Sequence, residues 1–431
     1  MITAITLLLF LFLMIIGMPI AFVVLGSSLA YFLFNPINPS IIAQRLTGSL
    51  ESFPLLAVPF FVLAGSAMSR GGIADRLYSF CEAMVGHWRG GLAQIAVINS
   101  LFIGAMSGSA TADAAIDART VVPVMRKHGY SNGFASVISA CSSVIGGPLL
   151  PPSIAMIIYG LLTSTSIARL FMAGIVPALI LAVSMMLAIR MIAKRRNYGT
   201  LRDRRLPLRE VGKRGMSAVW ALLMPVILLF GLRFGWFTPT ELGAIAAAYA
   251  LFVGLIIYRG MKPGDLYDVL REAALTTANV MVIVAASKVF GMVLTLEEVP
   301  QQIVSIMMDI SDNKWVVLLM MNLALLALGM IMEGLALQVI LAPVFITIMA
   351  SYDIDPVHFG VVLVLNTALG SVHPPVGSLV FTVCSITKCS VEEYTRELIP
   401  FLFVLLGVLT LVTFVPQIST FLPDLVLGPA K

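Results

Sequence analysis

The sequence predicts an all-α membrane protein that crosses the bilayer many times. Of its 431 residues, 59% are hydrophobic and only 11% are charged, whereas soluble domains carry about 25% charged residues. Apolar stretches of about 20 residues, the length that crosses a bilayer as a helix, recur along the chain. A transmembrane barrel would show alternating segments of about ten residues instead, and the sequence lacks that pattern.

The first 44 residues contain no charged side chain, and Arg45 is the first basic residue. A secretory signal peptide begins with positive charges, has a shorter apolar core and ends at a small-residue cleavage site. This stretch lacks the positive start and is too long. We therefore expect a retained span, or a span with a re-entrant continuation, that bends near Gly17–Pro19.

Basic residues are concentrated near the middle of the chain. Ten of the 27 lysines and arginines lie between Arg190 and Arg214, together with only two acids. By the positive-inside rule, segment 190–215 is predicted to be a cytoplasmic loop. The clustering also means that the net charge of +5 is no signal for nucleic-acid binding. The loop divides the chain into a first half, 1–189, and a second half, 216–431.

The two halves contain an internal repeat, which is common in secondary transporters. Pro151–Pro152 is followed 25 residues later by Pro177, and Pro374–Pro375 is followed by Pro400 at the same spacing. Under this offset of 223 residues, three further pairs correspond: Asn99 with Asn322, Gly147 with Gly370, and Phe171 with Tyr394. Because the repeats follow different numbers of spans, we expect them to lie in opposite orientations in the membrane.

Each predicted repeat contains two irregular places. The first is a pair of short apolar runs that meet at a small-residue tip, at about 92–126 and 316–350, which we interpret as re-entrant helical hairpins. The second is a helix interrupted by glycine and a double proline, at about 133–160 and 357–385, where proline removes a backbone donor. Non-helical backbone at membrane depth persists only inside protein or beside a water-filled cavity. These places are therefore candidate binding elements.

Broken helices have free carbonyl oxygens that can bind Na⁺ and helix N-termini that attract anions. At the first tip, Ser107, Ser109 and Thr111 add hydroxyl groups, while Glu333 occupies the second tip. Small residues also permit close helix packing, and serine often bonds to its own helix. Because each of the two tips is followed by a break containing glycine and proline, we favour binding over packing.

Ionisable side chains within spans are candidate functional groups. Asp113 and Asp117 are four residues apart and share one helical face, whereas Arg119 is not placed to pair with Asp113. Three interpretations stay open for Asp117 and Arg119: a charge cluster near the surface, a place near a water-filled cavity, or pairing with other elements. Glu333 is surrounded by apolar sequence and is a stronger candidate.

Five stretches together resemble the large membrane subunit of tripartite ATP-independent periplasmic (TRAP) transporters. They are GAMSGSATADAA, PPSIAMIIYG, GWFTPTELGAIAAAYALFVG, IDPVHFG and NTALGSVHPPVG, and they occur in the family's order over nearly the whole chain. The resemblance implies an elevator-type secondary transporter of the bacterial inner membrane in which Na⁺ drives uptake of an organic acid, typically a carboxylate. It also implies two separate partners, a small four-helix membrane subunit and a periplasmic substrate-binding protein. No enzymatic activity and no cofactor besides Na⁺ are expected.

With that resemblance, the two tips and the two breaks define three sets of candidate site residues. The first sodium site comprises Asn99, Ser107, Gly108, Ser109, Gly146, Gly147 and Pro148. The second sodium site comprises Gly329, Met332, Glu333, Gly370, Val372 and Pro374. The substrate site comprises Ser109, Thr111, Asp113, Ser153 and His373.

The sequence departs from the family pattern at two places. The family usually reads ADAAAIG after the first tip, without the charges of Asp117 and Arg119. It also usually has threonine where this chain has His373. Without that hydroxyl group, backbone carbonyls are left as ligands for the second ion. Histidine titrates near neutral pH and can make transport sensitive to pH.

Other functions stay open from the residues alone. A stand-alone carboxylate transporter of a related elevator family would need no receptor protein. An intramembrane hydrolase would use Ser107 or Ser109 as its nucleophile. His128 or His373 would then have to approach as the base, although neither is nearby in sequence. An ion channel fits poorly with two broken repeats.

Overall fold

The computed structural model describes residues 2–35, 38, 40–202, 204–374 and 377–429. Throughout these ranges the chain forms helices joined by short loops. The helices of the first half are α1 (Ile2–Ile15), α2 (Ile20–Phe34), α3 (Ser40–Leu50), α4 (Ala57–Arg70), α5 (Ile73–Val85), α6 (Gly91–Ser107), α7 (Ala110–Lys127), α8 (Asn132–Gly146), α9 (Ile154–Thr163) and α10 (Ile167–Arg195). Those of the second half are α11 (Leu208–Arg233), α12 (Pro239–Phe252), α13 (Asp265–Leu296), α14 (Val299–Ile310), α15 (Lys314–Gly329), α16 (Gly334–Tyr352), α17 (Pro356–Val372), α18 (Ser378–Thr387), α19 (Val391–Phe414) and α20 (Gln417–Leu427).

Seven helical stretches of the described chain are long and apolar enough to cross a membrane. They are Phe53–Arg70, Ile167–Arg195, Leu208–Arg233, Pro239–Ile257, Asp265–Leu296, Gly334–Tyr352 and Val391–Phe414. A helix satisfies its backbone hydrogen bonds internally, which is what hydrocarbon surroundings require. The prediction of an all-α membrane protein is confirmed.

The uncharged N-terminal stretch forms two helices that pack against each other. Gly17 has φ +79, a left-handed conformation that glycine adopts without strain, and Pro19 precedes the first turn of α2. Phe10 of α1 then packs with Val23 and Val24 of α2 in a small apolar cluster. The bend predicted near Gly17–Pro19 is therefore confirmed.

Helices α6–α10 and α15–α19 correspond one to one. From the second member onward they begin at an offset of 224 residues, and α9 and α18 are each followed by a residue with φ +57, Ser164 and Lys388 respectively. The double prolines follow an offset of 223 instead, because the first break has one residue more before its double proline and one fewer after it. Gly370 therefore corresponds to Gly146, and the pairing with Gly147 suggested by the prolines is wrong.

The second part of each broken helix packs against the hairpin of the other repeat. α9 contacts α16, and α18 contacts α7. The Tyr159 hydroxyl of α9 donates to the Pro356 carbonyl at the start of α17 over 2.6 Å. Ser136 of α8 donates to the Thr387 hydroxyl of α18 over 2.9 Å. The two repeats therefore interlock into one helical body.

The first hairpin begins at the end of this body that carries the basic segment. The Gly90 N–H, just before α6, donates to the Gly199 carbonyl over 3.2 Å. α19 begins at the same end, since Arg196 after α10 pairs with Glu397 at 2.7 Å. That hydrogen bond raises the pKa of the Arg196 guanidinium.

The second hairpin begins at the opposite end. Trp315, in the first turn of α15, lies beside Phe414 at the far end of α19, with ring centroids 6.0 Å apart. α16 then runs for 19 residues to Tyr352 and stops at Asp353, which has φ +48. It meets the length of a full span, whereas the sequence predicts two short runs for the hairpin at about 316–350. The two hairpins thus enter the body in opposite directions.

Candidate functional site

The first hairpin reverses between α6 and α7 at a compact set of oxygen atoms. Gly108 ends α6 with φ +64, and Ser109 caps α7 by accepting a hydrogen bond from the Ala112 N–H over 3.4 Å. Ser107 donates to Asp113 over 2.6 Å and accepts from the Ser109 N–H over 3.2 Å. Local hydrogen bonds therefore hold the hydroxyl groups of this tip in place.

Glycines bring the first tip into backbone contact with the first broken helix. A Cβ atom on Gly108 would lie 2.5 Å from the Pro152 carbonyl oxygen, and one on Gly146 would lie 2.8 Å from Gly104 Cα. Gly147 also has no room for a side chain, because a Cβ there would meet the backbone of α7. A larger residue at any of these positions would push the tip and the break apart.

The second tip repeats this glycine contact with fewer polar groups. A Cβ atom on Gly370 would lie 2.7 Å from Gly329 Cα, and one on Gly334 would lie 2.9 Å from Thr367 Cβ. Glu333 stands at the N-cap of α16 without a capping hydrogen bond and is exposed to a cavity. The carboxylate of Glu333 is therefore free to meet a ligand.

A cavity of about 370 Å³ lies where both tips and both broken helices meet. The repeats contribute these polar residues: Ser107, Ser109, Thr111, Glu333, Gln338, Thr367, Ser371 and Ser378. Helices α4 and α13 contribute these: Ser66, Ser69, Glu272, Thr276 and Asn279. Cavities of roughly 300–1,000 Å³ hold small organic ligands, so the junction of the two repeats is the candidate binding site.

Helix N-termini add partial positive charge to this cavity, beside the carboxyl groups of Glu272 and Glu333. Its lining includes first-turn residues of four helices: Ala110 of α7, Ile154 of α9, Gly334 of α16 and Ser378 of α18. Each helix N-terminus presents free N–H groups and carries a partial positive charge of about half an elementary charge. Four of them around one cavity form surroundings that favour an anion.

The residues predicted for the first sodium site are separated by the structure into two groups. Six lie at the tip or the break: Ser107, Gly108, Ser109 and Pro148 line the cavity, and Gly146 and Gly147 are buried beside it. Asn99 lies elsewhere, because its buried amide donates to Asp117 over 3.2 Å, two helical turns before the tip. The structure does not bring Asn99 to the ion site.

Of the six residues predicted for the second sodium site, three lie together at the junction of the tip and the break. Glu333 lines the cavity, and the contact between Gly329 and Gly370 lies at the same junction. Met332 instead packs with an apolar cluster that includes Phe10 of α1. Its side chain packs in that cluster, while its backbone directly precedes Glu333 at the tip.

Among the described residues, Val372, His373 and Pro374 do not belong to the cavity lining. The Val372 carbonyl accepts a hydrogen bond from the Tyr394 hydroxyl over 3.3 Å, and the Pro374 carbonyl lies 2.5 Å from Nδ1 of His373. These two carbonyls therefore already have partners. His373 does not line the cavity and is not brought to the predicted substrate site. Pro375 lies outside the described residues.

The other residues predicted to bind substrate have three different environments. Ser109 and Thr111 line the cavity, and their hydroxyl oxygens are 3.1 Å apart. Asp113 is buried behind the lining residue Ser107. Ser153 is fully buried and donates to the Pro148 carbonyl over 2.5 Å while it caps α9. Ser153 therefore stabilises the break and does not reach the cavity.

Asp113 and Asp117 lie on the buried face of α7, as their spacing predicts, and each is only 1% exposed. Asp117 accepts hydrogen bonds from Asn99 and from Ser100, at 3.2 and 2.8 Å. The interpretation of Asp117 as a surface charge is therefore wrong. Arg119 is exposed and lies beside a second cavity.

The oxygen atoms at the tips suit Na⁺, a hard cation that prefers such ligands. Oδ2 of Asp113 is buried and has no hydrogen-bond partner in the described structure, and the hydroxyls of Ser107 and Ser109 are nearby at the same tip. Glu333 supplies carboxylate oxygens at the second tip. No group of three or more His, Cys, Asp or Glu within the described ranges could hold a metal ion.

Two parts of the cavity lining were not predicted from the sequence: the wall formed by α13, and the buried side-chain amide of Gln338. Thr276 and Asn279 interrupt the apolar sequence of α13 at a spacing that places them on one helical face. That spacing is the feature of the sequence that could have indicated a polar face on α13. Gln338 also lines the cavity, and neither of its side-chain polar atoms has a hydrogen-bond partner among the described residues.

Comparison with known families gives a match over nearly the full length. The family described as "Tripartite ATP-independent periplasmic transporter, DctM component" matches residues 7–418. The sialic acid TRAP transporter large permease protein SiaM of Vibrio cholerae is 39% identical over 413 residues, 96% of this chain and 96% of that protein. The C4-dicarboxylate large permease DctM of Pseudomonas aeruginosa is 39% identical over 400 residues, 93% of each chain. The 2,3-diketo-L-gulonate large permease YiaN of Escherichia coli is 37% identical over 418 residues, 96% of each.

Solved structures of two transporters share the fold at low sequence identity. The YdaH transporter of Alcanivorax borkumensis superposes with a TM-score of 0.63 and 16% identity over 89% of each chain. MtrF of Neisseria gonorrhoeae gives a TM-score of 0.59 and 11% identity over 95% of this chain and 94% of that one. The resemblance to TRAP large subunits is confirmed by the family match and the relatives: this chain belongs to the DctM-component family of tripartite ATP-independent periplasmic transporters.

Proposed function

We propose that this chain carries a small organic anion across the bacterial inner membrane, coupled to Na⁺, by an elevator movement. The observation that supports it most strongly is the cavity onto which four helix N-termini open. Helix N-termini bind anions through their free N–H groups. The same cavity brings the two hairpin tips together, as a site shared by two repeats requires.

The substrate class follows from the cavity and from what the relatives are named for. Sialic acid, C4-dicarboxylates and 2,3-diketo-L-gulonate contain carboxylates, and isethionate, the substrate named for a relative in Oleidesulfovibrio alaskensis, contains a sulfonate. Their shared feature is a small organic anion. In this chain, Ser109, Thr111 and Ser378 would supply hydroxyl groups to such an anion beside the helix N-termini.

Sodium coupling would operate at the two tips. Asp113 with Ser107 and Ser109 would hold one ion, and Glu333 beside the contact of Gly329 with Gly370 would hold the other. A bound cation would raise the affinity of the neighbouring cavity for an anion, and coupling free energies of this kind are typically 1–3 kcal/mol. The ions would then offset the negative charge of the acidic groups at the tips.

The elevator movement would carry the interlocked repeats past a separate group of helices. α4 packs against α12 and α13, which lie outside the two repeats, and α4 and α13 also form one wall of the cavity. A site between a moving body and a fixed wall can be exposed to either side of the membrane in turn. A small membrane subunit and a periplasmic binding protein complete the proposed system.

Reconstituted transport tests the proposal. The chain, with its small subunit and binding protein, is placed in liposomes, and uptake of radiolabelled N-acetylneuraminate, succinate or isethionate is followed under an inward Na⁺ gradient. Accumulation that depends on Na⁺ is expected, and equal accumulation when K⁺ replaces Na⁺ would contradict it. Accumulation without the binding protein would support the stand-alone transporter instead.

Hydrolysis is the less favoured function. Ser107 donates to Asp113, and Ser109 pairs with a threonine hydroxyl. In the described structure, the ring of His128 lies 2.8 Å from a carbonyl of its own helix, and His373 contacts the carbonyl of the next residue. The relatives are permeases, which also favours transport. Labelling of the purified chain by a serine-reactive fluorophosphonate would support the hydrolase.

A further inference from the structure

A second cavity, of about 490 Å³, adjoins the candidate substrate cavity. The two cavities share Ser69, Ala74 and Ile116 in their linings. The remaining residues that line the second cavity are Arg70, Gly72, Asp75, Arg76, Arg119, Thr120, Tyr258 and Gly260. Three guanidinium groups and one carboxylate therefore surround a space that is separated from the first cavity by no more than these shared side chains.

The second cavity lies at the end of the protein that carries the basic segment 190–215. Arg70, in the last turn of α4, pairs with Asp268 and Glu272 in the first turns of α13, at 3.2 and 3.4 Å. α5 follows α4, and its Glu82 pairs with Arg202 of the basic segment 190–215 at 2.5 Å. The positive-inside rule assigns this end to the cytoplasm. A solute that leaves the first cavity toward the cytoplasm would pass through the second.

The three arginines of this cavity are not equally available. Arg70 is engaged by the two acids of α13. Arg76 donates to the Gly72 carbonyl over 2.8 Å, and its guanidinium lies 4.0 Å from the ring centre of Tyr258. Arg119 is exposed and makes no hydrogen bond or ion pair with any residue that the structure describes. Arg119 is therefore the cation that can accept a ligand without losing a partner.

We propose that Arg119 binds the carboxylate or sulfonate group of the substrate in this second cavity, as a transient site between the first cavity and the cytoplasm. The inference rests on the proposed transport of an organic anion. A guanidinium group matches such anions with two parallel N–H donors. Because Arg119 is exposed, its pairing is weakened by water and salt. Weak binding suits a site that must release its ligand, and Asp75 in the same lining limits the affinity further.

Charge-selective modification of a reporter cysteine tests this site without any transport. The reporter is Thr120→Cys, because Thr120 lines the second cavity and not the first. The four native cysteines are buried, so background reaction is low. The full chain is placed in nanodiscs of phosphatidylcholine alone, which removes anionic lipid as a ligand. Rates are measured for an anionic sulfonatoethyl and a cationic trimethylammonioethyl methanethiosulfonate.

The ratio of the anionic to the cationic rate reports the local charge. Arg119→Gln is expected to lower this ratio by about fivefold at low salt, since one nearby unit charge changes the two rates in opposite directions. Arg119→Lys should keep the ratio. Arg126→Gln, an exposed arginine on the same helix outside both cavities, should keep it as well. An unchanged ratio in Arg119→Gln would overturn the proposal.

Competition identifies the ligand as an organic anion. Succinate, isethionate and N-acetylneuraminate are added at constant ionic strength, balanced with potassium chloride. At least one should slow the anionic reagent about twofold at a concentration near its dissociation constant, and Arg119→Gln should abolish the protection. Equal protection in both proteins, or none, would overturn the site. Because no gradient is used, a failure of Na⁺-driven uptake would count against the proposed function and leave this result standing.

Discussion

Ser107 donates a hydrogen bond of 2.6 Å to Oδ1 of Asp113, while Oδ2 of the same carboxylate is buried without a partner among the described residues. Buried polar atoms almost always have hydrogen-bond partners, and an isolated buried charge is costly. An oxygen atom left without a partner beside a tip of hydroxyl groups supports the proposed Na⁺ site. This relationship makes Asp113 the first residue to test.

Asp113→Asn is expected to raise the Na⁺ concentration for half-maximal uptake by at least about tenfold, because a neutral amide is a poorer cation ligand and tenfold corresponds to ~1.4 kcal/mol. The measurement is the initial uptake rate against Na⁺ concentration in proteoliposomes. The matched control is Asp312→Asn, an exposed acid in the loop before α15, which should leave the Na⁺ dependence unchanged. An unchanged half-saturating concentration in Asp113→Asn would remove Asp113 from the ion site.

Two substitutions at Asp117 distinguish the effect of its hydrogen bonds with Asn99 and Ser100 from the effect of its negative charge. Asp117→Ala leaves the Asn99 amide and the Ser100 hydroxyl without their acceptor, which costs about 1–3 kcal/mol of stability. Asp117→Asn should be nearly neutral, because Asn99 can rotate and offer its own Oδ1, which has no partner in the described structure. Thermal unfolding of the detergent-solubilised variants distinguishes them. Equal loss in both variants would show that the negative charge itself is required.

Close backbone contact at the second tip predicts a steric effect. Gly370→Ala places a Cβ atom 2.7 Å from Gly329 Cα, so the tip must separate from α17. We expect a loss of about 1–3 kcal/mol and impaired Na⁺-dependent uptake. Gly407→Ala on α19 is the control, since nothing lies within 4 Å of its added Cβ, and alanine favours a helix over glycine by up to about 1 kcal/mol. Similar unfolding temperatures for the two variants would contradict the contact.

The elements that could be predicted from sequence are those governed by local backbone rules. Gly108 must reverse the chain, Pro151–Pro152 must interrupt a helix, and Gly17 with Pro19 must bend the N-terminal stretch. Each of these residues restricts or frees its own backbone, so its effect is visible without any tertiary contact. The tips, the breaks and the bend follow from such residues.

The parts that sequence reasoning missed depend on contacts between distant residues. Asn99 and Asp117 are 18 residues apart and meet only because α6 and α7 fold against each other. The α13 wall with Asn279 joins the cavity through packing of α13 against α4 and against α16 of the second repeat. His373 occupies the position where the family usually has threonine. Its ring nevertheless contacts the carbonyl of the next residue and is not part of the cavity lining. No local spacing carries this information.

The two hairpins begin at opposite ends of the protein, and this arrangement predicts a labelling pattern in spheroplasts. Gly212, on the basic side in α11, has open space around it, and Ser351, at the end of α16, is exposed at the opposite end of the protein. In spheroplasts, a membrane-impermeant maleimide should label Ser351→Cys directly and Gly212→Cys only after permeabilisation, since the basic segment is cytoplasmic by the positive-inside rule. The parent protein is the control, because its four cysteines are buried. Labelling of both positions from the same side would contradict the inverted arrangement, because each reporter sits at the end where a different hairpin begins.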